Sequence, residues 1–151
     1  MRTVLLADDN PHIREHCRAA LEEEGYRVVA VRDGVEALQA CEVEHPHIAV
    51  LDICMPRMSG FDALERLKST APELPVILFT AFDEDCLRDQ RARLAAACVE
   101  KSEDLTELRR TIDRLLHARI SDGAQELLRA GLPPSSAAAD RASRIPDPAA
   151  P

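Results

Sequence analysis

At 151 residues, with 46% hydrophobic and 30% charged side chains, the chain has the make-up of an ordinary folded domain and enough length to bury a core. Its 19 basic and 27 acidic residues give a formal charge of −8, which excludes a nucleic-acid surface unless the basic residues cluster, and they do not. No apolar run approaches a membrane span, Met1 leads straight into a strand pattern with no signal sequence, and Cys17, Cys41, Cys54, Cys86 and Cys98 never form a CxxC pair, so no membrane insertion and reduced thiols in the cytoplasm are expected.

Strand and helix patterns alternate five times. Thr3–Ala7 is an apolar run that ends in Asp8-Asp9. Pro11 opens a helix with Ile13, Cys17, Ala20 and Leu21 at helical spacing, and Gly25 closes it. Arg27–Val31 reads as a second strand, and Asp33 with Glu36 reads as a capping box before Val35, Leu38 and Cys41. His47–Asp52 is the third strand, apolar throughout and ending in one carboxylate. Pro56 stops any ladder, Ser59 is placed to cap the third helix, and Phe61, Leu64 and Leu67 form its stripe.

Pro72 and Pro75 bracket the return to a fourth strand, Val76–Phe79. Asp83 is expected to cap a fourth helix that has almost no apolar stripe, since Leu87 is followed by Arg88, Asp89, Gln90, Arg91 and Arg93. Ala95–Val99 is the fifth strand. From about Ser102 a fifth helix carries Leu105, Leu108, Ile112, Leu115 and Leu116, with Glu103 and Asp104 at its positive end. Repeated βα units imply a parallel sheet covered on both faces. A domain over 1–118 is therefore expected. Asp122–Ala130 could form one more short helix, and the Pro/Ala/Ser-rich remainder to 151 reads as a flexible tail, too short to hold an output domain.

Ligands of open parallel sheets bind beyond the carboxyl ends of the strands. Asp8, Asp9 and Asp52 all stand at such ends. Taken singly, each would be a loop acid or a cap. If the two strands are parallel neighbours, however, three like charges share one crevice, which is costly unless a cation joins them. Oxygen-only ligation of this kind suits Mg2+.

The set Leu5-Leu6-Ala7-Asp8-Asp9, Val50-Leu51-Asp52-Ile53-Cys54-Met55-Pro56 with Gly60, Phe79-Thr80-Ala81, and Lys101 resembles the receiver domain of bacterial two-component response regulators, across roughly residues 1–118. The resemblance implies a flavodoxin-like doubly wound (βα)5 fold with strand order 2-1-3-4-5. It also implies that Asp52 is the phosphoacceptor, forming an aspartyl phosphate. Mg2+ would be held by Asp9, Asp52 and the Cys54 backbone carbonyl, with Asp8 acting through water. Lys101 would pair with Asp52 and then with the phosphoryl oxygens, Thr80 would hydrogen-bond one of those oxygens, and Ala81 would keep the space beside it small. The implied partners are a histidine kinase or phosphotransfer protein and a downstream protein, without direct contact to nucleic acid. A homodimer through the face of helix four, strand five and helix five is the self-association the family suggests.

Two departures bear on the switch. Cys98 stands where the family usually has an aromatic residue, and Ser102 where it has a cis-proline, so a trans bond and a shifted loop are expected. Phe82 is the ring placed to move instead, with phosphorylation ordering the Thr80–Arg93 segment. His12 and His16 stand four apart without an evident third ligand, and His45 and His47 flank Pro46; solvated faces account for both pairs. Behind the phosphoacceptor come two alternatives. One is a receiver-fold scaffold whose switch has decayed. The other is a Mg2+-dependent phosphatase of the haloacid dehalogenase type, disfavoured because its first two acids are not adjacent as Asp8 and Asp9 are.

Overall fold

The computed structural model describes residues 1–81, 84 and 88–129, with side chains to 118. Its elements are β1 (Thr3–Ala7), α1 (Pro11–Glu23), β2 (Arg27–Val31), α2 (Gly34–Glu44), β3 (Ile48–Leu51), α3 (Gly60–Thr70), β4 (Val76–Thr80), a 3-10 helix (Gln90–Leu94), β5 (Ala97–Glu100) and α4 (Thr106–Arg129). The five strands are all parallel, in the order β2-β1-β3-β4-β5. This is the doubly wound arrangement expected from the sequence.

Sheet position explains the strand compositions. β1, β3 and β4 lie inside the sheet, and every residue in them is buried. Their near-continuous aliphatic runs are what burial on both faces requires. β2 and β5 are the edges and are largely half-buried, which is why Arg27 and Glu100 are tolerated there. Leu5, Leu51, Leu64, Leu67 and Leu78 are fully buried, each worth roughly 1.5–3 kcal/mol of burial.

The helix starts follow their caps. Asn10 accepts from the His12 and Ile13 N–H groups, with Pro11 in the first helical position, and Ser59 Oγ accepts from Asp62 N at 3.2 Å. Asp33 caps α2 through Glu36 N at 2.9 Å. The expected capping box is only half made, because the Glu36 carboxylate accepts from Arg32 N rather than from the cap residue. Gly25, with φ +96°, closes α1 as expected.

Several expectations need correcting. β3 ends at Leu51, because Asp52 N bonds Ala7 O and then leaves the ladder. β4 runs on to Thr80, while β5 starts at Ala97 and ends at Glu100. The fourth helix is not an α-helix over Gln90–Leu94 but a 3-10 turn, and the stretch that was to begin it lies mostly outside the described residues, Phe82 and Asp83 included. The last helix starts at Thr106 rather than at Ser102, with Asp104 Oδ1 accepting from Thr106 N at 2.9 Å. It is continuous to Arg129, so Asp122–Arg129 is no separate element. By contacts the chain falls into two units, 1–113 and 114–151, and the second is helical to Arg129. The tail beyond Arg129 lies outside the described residues.

Candidate functional site

Backbone register brings the predicted residues together. Ala7 pairs with Leu51 across β1 and β3, so Asp8 and Asp52 leave neighbouring strands side by side, and Asp52 N is bonded to Ala7 O at 2.9 Å. On the other flank Thr80 pairs with Glu100, and Lys101 N donates to Thr80 O at 2.6 Å. Lys101 is thereby delivered one residue past the ladder, facing the acids. Carboxylate oxygens of Asp8, Asp9 and Asp52 lie within 4.8 Å of one another, the only such metal-capable group among the described residues. Asp8 and Asp52 are buried and Asp9 is exposed.

Lys101 Nζ stands 2.8 Å from Asp8 Oδ2 and 3.2 Å from Asp52 Oδ1. The predicted partner, Asp52, is thus the more distant of two. Asp8 Oδ2 is fully buried and meets Lys101 by charge, without a well-aligned hydrogen bond. Asp8 Oδ1 accepts from Asn10 N at 2.9 Å, and the Asp8 carbonyl accepts from Arg14 Nη1 at 2.7 Å. Asp52 Oδ1 also receives Cys54 N, at a long 3.4 Å.

Burial pushes the Asp52 carboxyl up to about 6; Lys101 pulls it back, and the neighbouring Asp8 charge adds to the rise. Burial works against the Lys101 ammonium too, but the two carboxylates outweigh it and hold its pKa above the ordinary value. One cation against three acids leaves the crevice two charges short. The donors are all oxygen, and one buried carboxylate oxygen lacks an aligned donor. That chemistry fits a hard divalent cation such as Mg2+.

Three features went unread in the sequence. Lys101 Nζ lies 5.8 Å from the centre of the Phe79 ring. Gly60 packs against the main chain of Asp52 and Ile53: a Cβ there would fall 2.8 Å from Ile53 Cα and 2.9 Å from the Asp52 carbonyl carbon, and nearer still to the Asp52 oxygen. Arg57 adopts φ 65° and binds Asp33. A lone non-glycine residue in the left-handed region leaves no trace in composition or periodicity.

The remaining predicted residues separate clearly. Thr80 is buried at the end of β4 and Ala81 is exposed beside it. Cys98 is half-buried, opposite Leu78, and packs against the core. Phe82 lies outside the described residues. His12, His16, Cys17, Phe79, Lys101 and Leu105 line a cleft of about 530 Å3 beside the site. His16 Nε2 is engaged with Glu103 O at 3.1 Å, and His47 Nδ1 accepts from Thr3 N at 3.0 Å. Neither pair of histidines forms a metal cluster among the described residues.

Residues 4–113 match the family model described as the response regulator receiver domain. The chain is 42% identical over 94 residues to the probable transcriptional regulatory protein TcrX of Mycobacterium tuberculosis, covering 62% of this chain and 39% of that one. It is 36% identical over 126 residues to the response regulator MprA of Mycobacterium leprae, covering 82% and 54%. The chain therefore spans about half or less of these relatives. Among solved structures, the response regulator TrrA of Thermotoga maritima in complex with Mg(2+)-BeF superposes with a TM-score of 0.72 at 32% identity, over 76% of this chain and 99% of that one. TrrA in its complex with the histidine kinase ThkA gives 0.71 at 32%, over 77% and 99%. With register, acids and lysine in place, the chain belongs to the response regulator receiver domains, the phosphoacceptor signalling modules of two-component systems.

Proposed function

We propose that Asp52 is the residue that accepts the phosphoryl group. The observation that carries this is the buried Asp52 carboxylate at the end of β3, flanked by Asp8 and faced by Lys101 at 3.2 Å. An Asp52 oxygen attacks phosphorus as the bond from phosphorus to the donor's nitrogen or acyl oxygen breaks, and the leaving group keeps that electron pair. Such transfer needs positioning and neutralisation of charge more than covalent help. Lys101 supplies a fixed cation and Thr80 a hydroxyl for the incoming oxygens. Asp9, Asp52 and the Cys54 carbonyl would hold Mg2+, with Asp8 acting through water, and the ion would supply the remaining positive charge. TrrA, solved in complex with Mg(2+)-BeF, supports Mg2+ as the ion.

The phosphodonor is a histidine kinase or phosphotransfer protein, in line with the ThkA complex of TrrA. The chain acts as an acceptor with at most slow self-dephosphorylation, not as a phosphatase of other substrates. The receiver unit is 1–118 and the protein works in the cytoplasm, which agrees with Cys17, Cys41, Cys54 and Cys98 being free thiols and with no described helix being long and apolar enough to cross a membrane.

Output has to differ from the family's usual route, since Cys98 offers no ring to swing. Arg91 supports a different arrangement: it pairs with Asp62 at 2.7 Å, Glu65 at 3.5 Å and Asp89 at 2.9 Å, and lies over the Phe61 ring at 5.1 Å. Charge, not an apolar stripe, fastens the 90–94 turn to α3. The signal is proposed to pass through the Thr80–Arg93 segment. Hydrogen exchange with and without a phosphoryl mimic tests this: protection should rise in residues 80–93 and change little at Cys98. Unchanged exchange there would favour the scaffold reading.

A further inference from the structure

The chain from Ile53 to Ser59 carries Cys54 and has no regular structure to fix it. It is wedged from two sides. On one side Gly60 N donates to Ile53 O at 2.8 Å, and the start of α3 presses on Asp52. On the other side Met58 sits on Gly34, where a Cβ would fall 2.6 Å from Met58 O and 2.8 Å from Met58 Cβ. Between these contacts Arg57 takes φ 65°. Such a conformation costs an ordinary residue on the order of 1–3 kcal/mol and persists only where the surroundings impose it.

Asp33 imposes it. Arg57 Nε donates to Asp33 Oδ2 at 2.9 Å, and Arg57 Nη2 reaches the same oxygen at 2.8 Å. The Asp33 side chain is 6% exposed, and its Oδ1 is committed to capping α2 through Glu36 N. The pair therefore ties the middle of the loop to a rigid helix start. Removing either partner would leave the packing of Met58 on Gly34 as the loop's tie on the side away from α3.

We propose that the Arg57–Asp33 pair is a positioning device for the metal: by fixing Arg57 in the left-handed turn, it sets where the Cys54 carbonyl stands relative to Asp52. This rests on the Mg2+ reading above. Groups behind the direct ligands commonly govern metal affinity by 10–100-fold, roughly, because they orient the ligand atoms. Charge alone predicts the opposite for Arg57, since deleting a cation near a cation site should tighten binding. The sign of the effect separates positioning from plain electrostatics.

The test is a Mg2+ titration of the full chain, followed by amide chemical shifts, for wild type, Arg57→Gly, Asp33→Asn and the double variant. Glycine adopts positive φ freely and asparagine still caps a helix, so both variants should fold, and melting without Mg2+ checks it. Arg57→Gly should weaken Mg2+ about tenfold. Asp33→Asn should weaken it similarly, and the double variant should bind no worse than the weaker single, because both changes break one tie. With a small acyl phosphate as donor, the Mg2+ concentration for half-maximal labelling should rise by the same factor while the plateau rate holds. Arg57→Gly binding Mg2+ as well as or better than wild type overturns the proposal, whether or not its melting falls. A wild type that binds no Mg2+ overturns the metal reading itself, and this inference with it.

Discussion

A single methyl group at Gly60 should separate folding from phosphorylation. Gly60 opens α3, and an added Cβ would fall 2.8 Å from Ile53 Cα and 2.9 Å from the Asp52 carbonyl carbon, with the Asp52 oxygen nearer still. These are main-chain atoms, so no side chain can turn aside, and the helix start must withdraw from Asp52, the proposed acceptor. Overpacking of this kind costs roughly 1–3 kcal/mol. Alanine returns up to about 1 kcal/mol through its helix preference. The net loss of up to about 2 kcal/mol lowers Tm by several degrees and leaves the protein folded at 25 °C. The chemistry is less forgiving: misplacing a reacting group by about 1 Å costs on the order of 100-fold in rate. Gly60→Ala should therefore label about 100-fold more slowly with a small acyl phosphate and Mg2+, followed by intact mass against time. Gly25→Ala is the control, since Gly25 has φ +96° with nothing within 4 Å of its would-be Cβ and lies at the end of α1. It should lose stability and keep its rate. A folded Gly60→Ala protein that labels at the wild-type rate would refute the argument that α3 sets the acceptor's position.

Replacing Lys101 by Met strips Asp8 and Asp52 of their shared cation, so without Mg2+ urea unfolding at pH 7 should show a loss of roughly 3 kcal/mol, and added Mg2+ should restore part of it. Mg2+ should raise the melting temperature of the wild type, adding about 2.7 kcal/mol of stability at a hundredfold excess over Kd, and Asp9→Ala should remove the rise. Without Mg2+, the Asp52 carboxyl at about 6 in the fold against 3.8 as its ordinary value means the native state holds a proton that the unfolded chain releases. That contribution is fully present below 3.8 and disappears as pH rises through 6, amounting to about 3 kcal/mol at most. Stabilisation by Mg2+ should correspondingly fade as pH falls below 6, where proton and metal compete for Asp52. Arg91→Ala should cost little stability, since its pairs are largely open to solvent screening, yet it should raise exchange in residues 90–94.

The sheet was readable because burial leaves its mark on composition: the inner strands are aliphatic throughout, and the edge strands carry Arg27 and Glu100. Two caps were readable for the same kind of reason, since Asp33 and Ser59 each satisfy free N–H groups within a few residues; the cap at Asn10 was not singled out. Longer-range ties were not. That Arg91 would collect Asp62 and Glu65, and that Lys101 would lie closer to Asp8 than to Asp52, both depend on side chains meeting across elements. The 3-10 turn at Gln90–Leu94 escaped because its polar sequence gives no period to read. A separate short helix over Asp122–Ala130 was expected, whereas the helix from Thr106 runs on without a break to Arg129. At the site, Asp8, Asp9 and Asp52 were legible as strand-end acids, while Lys101 stood out only through the family resemblance. The loop geometry at Arg57 and the close approach at Gly60 exist only in three dimensions.

The most direct test of the account is the phosphoryl mass itself. Wild type and Asp52→Asn are incubated with a small acyl phosphate and Mg2+ and weighed intact. Wild type should gain one phosphoryl group, dependent on Mg2+ and lost on treatment that cleaves acyl phosphates, while Asp52→Asn gains none. Stoichiometric labelling of Asp52→Asn, or a wild type that stays unlabelled although it binds Mg2+, would contradict the assignment of Asp52 as the acceptor.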